Sequence, residues 1–266
     1  MYLNVWGATT MITDMGAYDW MGNAIRCENC SYRRLQVEGQ CQLQHACLQD
    51  RYARRIDRFF AWNPTLANGS IAHPYFEVRA VAAKYADIFR LPRLLTDPDD
   101  TVRWSAAQRL PTRLLFPLRH DPSREVRIRV AMRLEGADLM PMMKDPDYYV
   151  RQTVAGRVPI YLLPFMIYDT EVEVRRVVAQ RVGVEWLMPM AGDTDAAVRI
   201  EVASRLTPKQ LLWLKRDADW RVRYEVANRI NLEGLADMHN DSDPLVRERV
   251  LQRLHDGAGV ESGECK

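Results

Sequence analysis

The sequence predicts an all-α fold, a solenoid of eight 24-residue repeats, and three features carry that expectation. The dipeptide Val-Arg stands at 78–79, 102–103, 126–127, 150–151, 174–175, 198–199, 222–223 and 246–247, at a constant spacing of 24 with no insertion or deletion. Around each copy an aspartate recurs on the upstream side and small or aliphatic residues recur downstream at helical spacing. A fixed period in this range marks units that bury their apolar faces by stacking on one another. The third feature lies ahead of the array, where Cys27, Cys30, Cys41 and Cys47 share one short stretch.

Composition narrows the function classes. An apolar fraction of 47% with 27% charged residues is that of an ordinary globular protein. A formal charge of +2 gives no global attraction to nucleic acid or to an anionic membrane. No run of about 18 apolar residues exists, so no membrane span is expected. The opening MYLNVWGATTMITDMGAYDW has no basic start and includes Asp14 and Asp19, unlike a secretory signal. Four of the five cysteines are clustered and the array has none, which favours a metal site in a reducing compartment over spread disulfides. The expected location is the cytoplasm.

Residues 1–24 form an N-terminal extension, expected to be flexible. Residues 25–69 hold the cysteines, spaced Cys27-x2-Cys30-x10-Cys41-x5-Cys47, and a capping helix. The opening C-x-x-C places two thiolates on one tight turn, which suits tetrahedral zinc or a corner of an iron–sulfur cluster. Cys41 and Cys47 are too far apart for a zinc knuckle, although Cys41 with His45 has that spacing. A cubane, with its four iron corners, accepts wider spacing on a wrapping loop. Iron–sulfur and zinc both stay open on spacing alone, with a pair of disulfides third. Four thiolates on a [4Fe–4S]²⁺ core leave a dianion that wants nearby cations, and Arg26, Arg33, Arg34 and Arg51 flank the cysteines. Leu48 to Phe60 is helical in pattern, with Tyr52, Ile56, Phe59 and Phe60 on one side to cover the first repeat. Its basic residues are diluted by Asp50 and Asp57, which weakens a nucleic-acid reading.

Residues 70–256 are the array. With the Val of each Val-Arg as position zero, position −5 is His73, then Asp97, Asp121, Asp145, Asp169, Asp193, Asp217 and Asp241. Proline follows in four repeats, so the Asp is expected to be an N-cap with Pro at the first helical position, the second helix covering 98–110. Positions 0, +4, +5 and +8 form one apolar stripe, and alanine at +5 in seven repeats lets a neighbouring helix approach closely. Leucine at +13 and Leu or Met at +16 fit a 3₁₀ turn, whose side chains eclipse at i and i+3. About eleven residues, interrupted by Pro92, Pro117, Pro141, Pro164 and Pro189, leave no room for a second full α-helix. Ordering 24 residues costs about 1–2 kcal/mol each in backbone entropy, while five or six buried side chains return roughly 1.5–3 kcal/mol each. One repeat therefore does not fold alone. Residues 257–266 form a tail, expected to be flexible, that carries Cys265 as a free thiol.

Arginine occupies +1 in all eight repeats and +7 in seven, Tyr85 being the exception. Position +1 falls within the apolar arc, where a guanidinium needs a partner. The repeated aspartate supplies one, within a repeat or across to the next, so a structural ladder is expected rather than an arginine groove for phosphates.

The repeat pattern Asp-x4-Val-Arg-x2-Val-Ala-x-Arg-Leu-x4-Leu-x2-Leu/Met, with Cys27, Cys30, Cys41 and Cys47 just upstream, resembles the leucine-rich repeat variant family that carries an N-terminal 4Fe-4S cluster. The match covers roughly residues 25–256. It implies a right-handed superhelix of alternating α- and 3₁₀-helices and a [4Fe–4S] cluster bound by the four cysteines. Members occur among nitrogen-fixation genes, and the resemblance implies no activity. Departures from the pattern are His73 in place of the first Asp, Tyr85 in place of the first +7 Arg, the tail, and the N-terminal extension. HEAT-like repeats share an Asp and a Val-Arg six apart but have longer, two-helix units, so they rank second.

No catalytic constellation is visible. The five histidines lie at caps, in turns, in the cysteine block or at the end of the array, and no phosphate-cradling glycine loop or nucleophile–base pair occurs. The expected function is a non-enzymatic 4Fe-4S protein whose solenoid binds a protein partner, the cluster serving a redox or structural role, with nitrogen fixation as the setting the resemblance implies. The alternative is a nucleic-acid-binding solenoid with an iron–sulfur or zinc cap. No membrane partner is expected.

Overall fold

The computed structural model describes residues 16–261. The start of the expected extension, the end of the tail and Cys265 lie outside the described residues. The chain divides into two compact units, Met1–Arg129 and Val130–Lys266. Helical repeats in series build both, and no strand longer than an isolated bridge occurs among the described residues.

The repeat α-helices are Phe76–Tyr85, Asp100–Ala107, Arg124–Arg133, Tyr148–Ala155, Val172–Arg181, Ala196–Ala203, Trp220–Arg229 and Pro244–Glu261. Each starts later than the Asp-Pro signal suggested; the second opens at Asp100 rather than at 98. The aspartate at −5 is not the N-cap. Its Oδ1 accepts the N–H two residues on, as in Asp97 from Asp99 (3.0 Å), Asp169 from Glu171 (2.9 Å) and Asp217 from Asp219 (2.8 Å). This Asx turn delays the helix. The cap falls at −3, where Asp99, Asp147, Asp195 and Asp219 accept from helix N–H groups.

The stripe is buried as expected. Position zero is valine throughout, from Val78 to Val246, fully shielded in every repeat. So are the leucines at +13, from Leu91 to Leu235. Leu251, at +5 of the eighth repeat, where the other seven carry alanine, is exposed.

The connecting segments are 3₁₀ at Ile88–Thr96, Phe116–His120, Gly136–Lys144, Ile160–Met166 and Gln210–Leu214. Two depart from that pattern. Val184–Trp186 passes into an α-turn at Leu187–Met190, and Leu232–Ala236 is α-helical, opened by Asn231, whose side chain accepts from Gly234 N–H at 3.1 Å. That last segment lacks the proline found inside several others.

Ahead of the repeats stands the helix Ala53–Trp62, which starts later than the expected Leu48. Asp50, fully buried, accepts Tyr52 N–H at 3.0 Å and holds Leu48–Tyr52 as a turn. Ile56, Phe59 and Phe60 are buried and Tyr52 is half-buried. Residues 16–24 are also packed. Asp19 Oδ1 accepts from Met21 and Asn23 N–H (2.9 and 2.8 Å), and the Trp20 ring stacks on Tyr75 at 5.6 Å and meets His73 edge-on at 5.0 Å.

Candidate metal centre

The C-x-x-C turn is a short 3₁₀ helix, Cys27–Asn29, closed by Cys30 N–H on Cys27 O (3.3 Å). Tyr32 N–H donates to Cys30 Sγ at 3.4 Å. The helix Arg33–Val37 then ends at Gly39, whose φ of +72° is left-handed backbone that favours glycine. That reversal brings Gln40 N–H to Leu35 O (2.7 Å) and returns the chain to Cys41. A second tight loop, bridged between Gln42 and Ala46, delivers Cys47, whose N–H is bound by Arg55 O at 3.1 Å. Buried Asn63 ties this loop to the capping helix, donating to Gln40 O (2.7 Å) and Phe59 O (2.9 Å).

None of the four cysteines is in a disulfide, and they lie close enough for the charge of one to act on another. Burial pushes the Cys27 thiol up, and the negative charge of Cys47 and Cys30 adds to it, against a hydrogen bond with the Gln36 side chain. Cys47 hydrogen-bonds to Cys41, so Cys47 is raised, burial adding to the effect, and Cys41 is lowered. Cys47 and Cys41 are 3% and 8% exposed, whereas Cys27 and Cys30 are half-buried. The cysteine segment is therefore open on its C-x-x-C side, where a cavity is lined by Arg26, Cys27, Arg33 and Gln36 among others.

Soft thiolate donors with N–H groups aimed at sulfur are the chemistry an iron–sulfur cluster requires. Among the described residues, no three His, Cys, Asp or Glu side chains are gathered as a single-ion site. His45, the residue that would complete a zinc knuckle with Cys41, instead faces Arg58, its Nδ1 3.1 Å from that guanidinium, and lies 5.6 Å from the Trp62 ring. Four cysteine sulfurs, with His45 turned to Arg58, fit an iron–sulfur cluster as a donor set. Sequence reasoning did not single out Gln36 or Asn63, and it read Asp50 only as a charge diluting a basic helix. Nearness in sequence to the cysteines is the one signal that could have flagged Gln36 and Asp50.

The array shows where its arginines go. Each +1 guanidinium donates through Nη1 to two carbonyls at the start of its own repeat, as in Arg103 to Asp97 O (2.9 Å) and Pro98 O (3.1 Å). In the first unit Nε and Nη2 of Arg79 fork onto Asp97 of the next repeat and those of Arg103 onto Asp121; in the second unit Arg151 forks onto Asp169, Arg175 onto Asp193, Arg199 onto Asp217 and Arg223 onto Asp241. The +7 arginines have a use that periodicity did not reveal. Arg109 donates to Ala83 O (2.8 Å) and Ala86 O (2.6 Å), and Arg253 to Ala227 O and Ile230 O (both 2.8 Å). They cap the C-terminal carbonyls of the preceding helix, the negative end of its dipole.

An all-α repeat array headed by a four-cysteine segment is the class that fold and site define. Similar proteins place it further. A family model described as "LRV protein FeS4 cluster" matches residues 17–69. A solved structure described as "a leucine-rich repeat variant with a novel repetitive protein structural motif" superposes with a TM-score of 0.83 at 40% identity, covering 86% of this chain and 99% of that one. The chain belongs to the leucine-rich repeat variant family, and its N-terminal segment is the family's iron–sulfur cluster domain. The "Uncharacterized 27.7 kDa protein in nifB 3'region" of Rhodobacter capsulatus is 53% identical over 93 residues, 35% of this chain and 38% of that protein. The family model begins at residue 17, ahead of residue 25, where the sequence pattern placed the domain. Among the described residues no helix is long and apolar enough to cross a membrane.

Proposed function

We propose that this chain holds a [4Fe–4S] cluster on Cys27, Cys30, Cys41 and Cys47 and is not an enzyme, its repeats serving as a binding surface for a protein partner in a reducing, cytoplasmic compartment. The two tight loops that return Cys41 and Cys47 to one segment beside the C-x-x-C turn carry the ligand assignment, supported by the family model over residues 17–69. The nifB neighbourhood of the Rhodobacter relative supports a role in nitrogen fixation. When bound, the cluster supplies one-electron chemistry or a cross-link between the two cysteine loops. Tyr32 N–H orients Cys30, and Asn63 fixes the loop that presents Cys41.

The runner-up is a nucleic-acid-binding solenoid. It needs free guanidinium rows, and the occupied forks and carbonyl caps weigh against it.

Protein prepared without oxygen under iron-replete conditions should be brown and carry about four irons per chain. Each of the four Cys→Ser variants should lose iron, while Cys265→Ser should keep it. Stoichiometric zinc in place of iron, or full iron in a Cys41→Ser variant, would overturn the assignment.

A further inference from the structure

The arginines of the two repeat rows are taken up by carboxylates and carbonyls, but three on the connecting segments of the first unit are not. Arg90, Arg93 and Arg113 are exposed, and their side chains make no hydrogen bond or ion pair among the described residues. In a 3₁₀ helix side chains at i and i+3 eclipse. Leu91 and Leu94 take the buried row of Ile88–Thr96, so Arg90 and Arg93 share an outer ridge beside Phe89. One repeat on, Leu115 and Leu118 take the buried row and Arg113 holds the position equivalent to Phe89. The Arg79–Asp97 and Arg103–Asp121 forks and the Arg109 caps keep the repeats in register, which sets these positions side by side.

Two further observations define the chemistry. Phe89 is 92% exposed, and an aromatic ring left in water beside guanidinium groups is the composition of a protein-interface anchor. Residues 87–96 and 111–120 contain one acid, Asp87, and it is engaged by Asn68 at 2.6 Å. Arg119 lies over the Phe116 ring, 4.8 Å from its centroid, adding to the cationic face.

We infer that the outer face of residues 88–96 and 112–120 docks an acidic protein segment, its carboxylates on Arg90, Arg93 and Arg113 and an apolar side chain on Phe89. The inference rests on the reading of the repeats as a partner-binding surface. A single exposed ring and three open cations suit a short peptide contact. A nucleic-acid strand would call for a longer cationic track with successive stacking platforms.

The test uses the full chain with two fluorescein-labelled probes, a short Glu-rich peptide with a central leucine pair and an oligonucleotide of similar length. Both are titrated at about 150 mM salt, where exposed charges are screened beyond about 8 Å. The peptide should bind, and R90E/R93E/R113E should weaken it by about tenfold or more. Phe89→Ala, which keeps every charge, should weaken it several-fold. Both variants change only exposed side chains, so circular dichroism and melting should match the parent. Peptide affinity unmoved by the charge reversal, or no peptide binding, would overturn this surface while leaving a partner elsewhere on the repeats. Tighter binding of the oligonucleotide would overturn both this inference and the protein-partner reading.

Discussion

The guanidinium of Arg151 meets two repeats at once. Nε and Nη2 grip Asp169 at 2.7 and 2.8 Å, while Nη1 reaches Asp145 O at 2.8 Å and Pro146 O at 3.4 Å. The two side chains are only 11% and 8% exposed, so water replaces little of what is lost if one partner goes. Arg151→Ala leaves the buried Asp169 carboxylate with only the Glu171 N–H and takes the donor from two carbonyls. Its cost should be about 3 kcal/mol, against roughly 0–1 kcal/mol for an exposed pair. A urea midpoint equal to that of the parent would show the fork to be ornamental. Both residues of the pair were legible in the sequence, because a charged residue inside an apolar arc must be paired. Which aspartate is chosen was not, since the period fixes a residue's place in its own repeat and says nothing of the neighbour's.

At the scale of elements, the Asp-Pro signal marked where each repeat helix is prepared rather than where it starts. The aspartate serves two groups, the N–H of its own Asx turn and the fork from the preceding arginine. His73 shows that the turn is separable from the fork. Its Nδ1 accepts Tyr75 N–H at 3.1 Å, as the aspartates accept theirs, and the upstream arginine at the equivalent place, Arg55, binds Asp50 instead. Burial and the Arg79 charge hold His73 below its ordinary pKa, so that Nδ1 stays unprotonated and accepts the Tyr75 N–H. Asp193 carries both functions. Burial would raise its pKa, but the Arg175 hydrogen bond, Asp195 N–H and the charges of Arg175 and Arg199 hold it below the usual carboxylate range. A carboxyl lowered in the fold contributes stability above its unfolded value of about 3.9, and that contribution is lost as pH falls through the folded value. Asp193→Asn should therefore be less stable than the parent at neutral pH, with the difference shrinking below about pH 4. Denaturation midpoints measured across that range check it; a constant gap would mean the carboxylate charge is not what matters.

Considered as a whole, the first unit begins with a worn repeat. Counting back 24 from the first Val-Arg sets Arg55 where the ladder arginine stands, within Ala53–Trp62, and Tyr85 reaches back to Asp57 of that helix as the +7 arginines reach theirs. The sequence hid this, because residue 54 is Arg rather than Val and the apolar stripe has been rebuilt from Ile56, Phe59 and Phe60. A cap so rebuilt has less of the repeat's own stacking, and the cysteine loops lie over it, with Tyr32 packed edge-on against Phe59 at 5.4 Å. Among the described residues no backbone hydrogen bond ties the Cys27–Cys30 turn directly to Cys47, so a cluster shared by the four sulfurs would be the main cross-link between the two cysteine loops. Removing iron by chelation should then raise amide exchange across residues 27–50 by orders of magnitude, as local opening needs little free energy once few contacts remain. Exchange in Phe76–Tyr85, held by its own buried valines and the Arg79 fork, should change far less. The measurement is hydrogen–deuterium exchange on iron-loaded and iron-free protein side by side. Equal protection of residues 27–50 in the two forms would mean the cysteine loops fold without the metal and would shift the cluster's role from cross-link toward electron transfer.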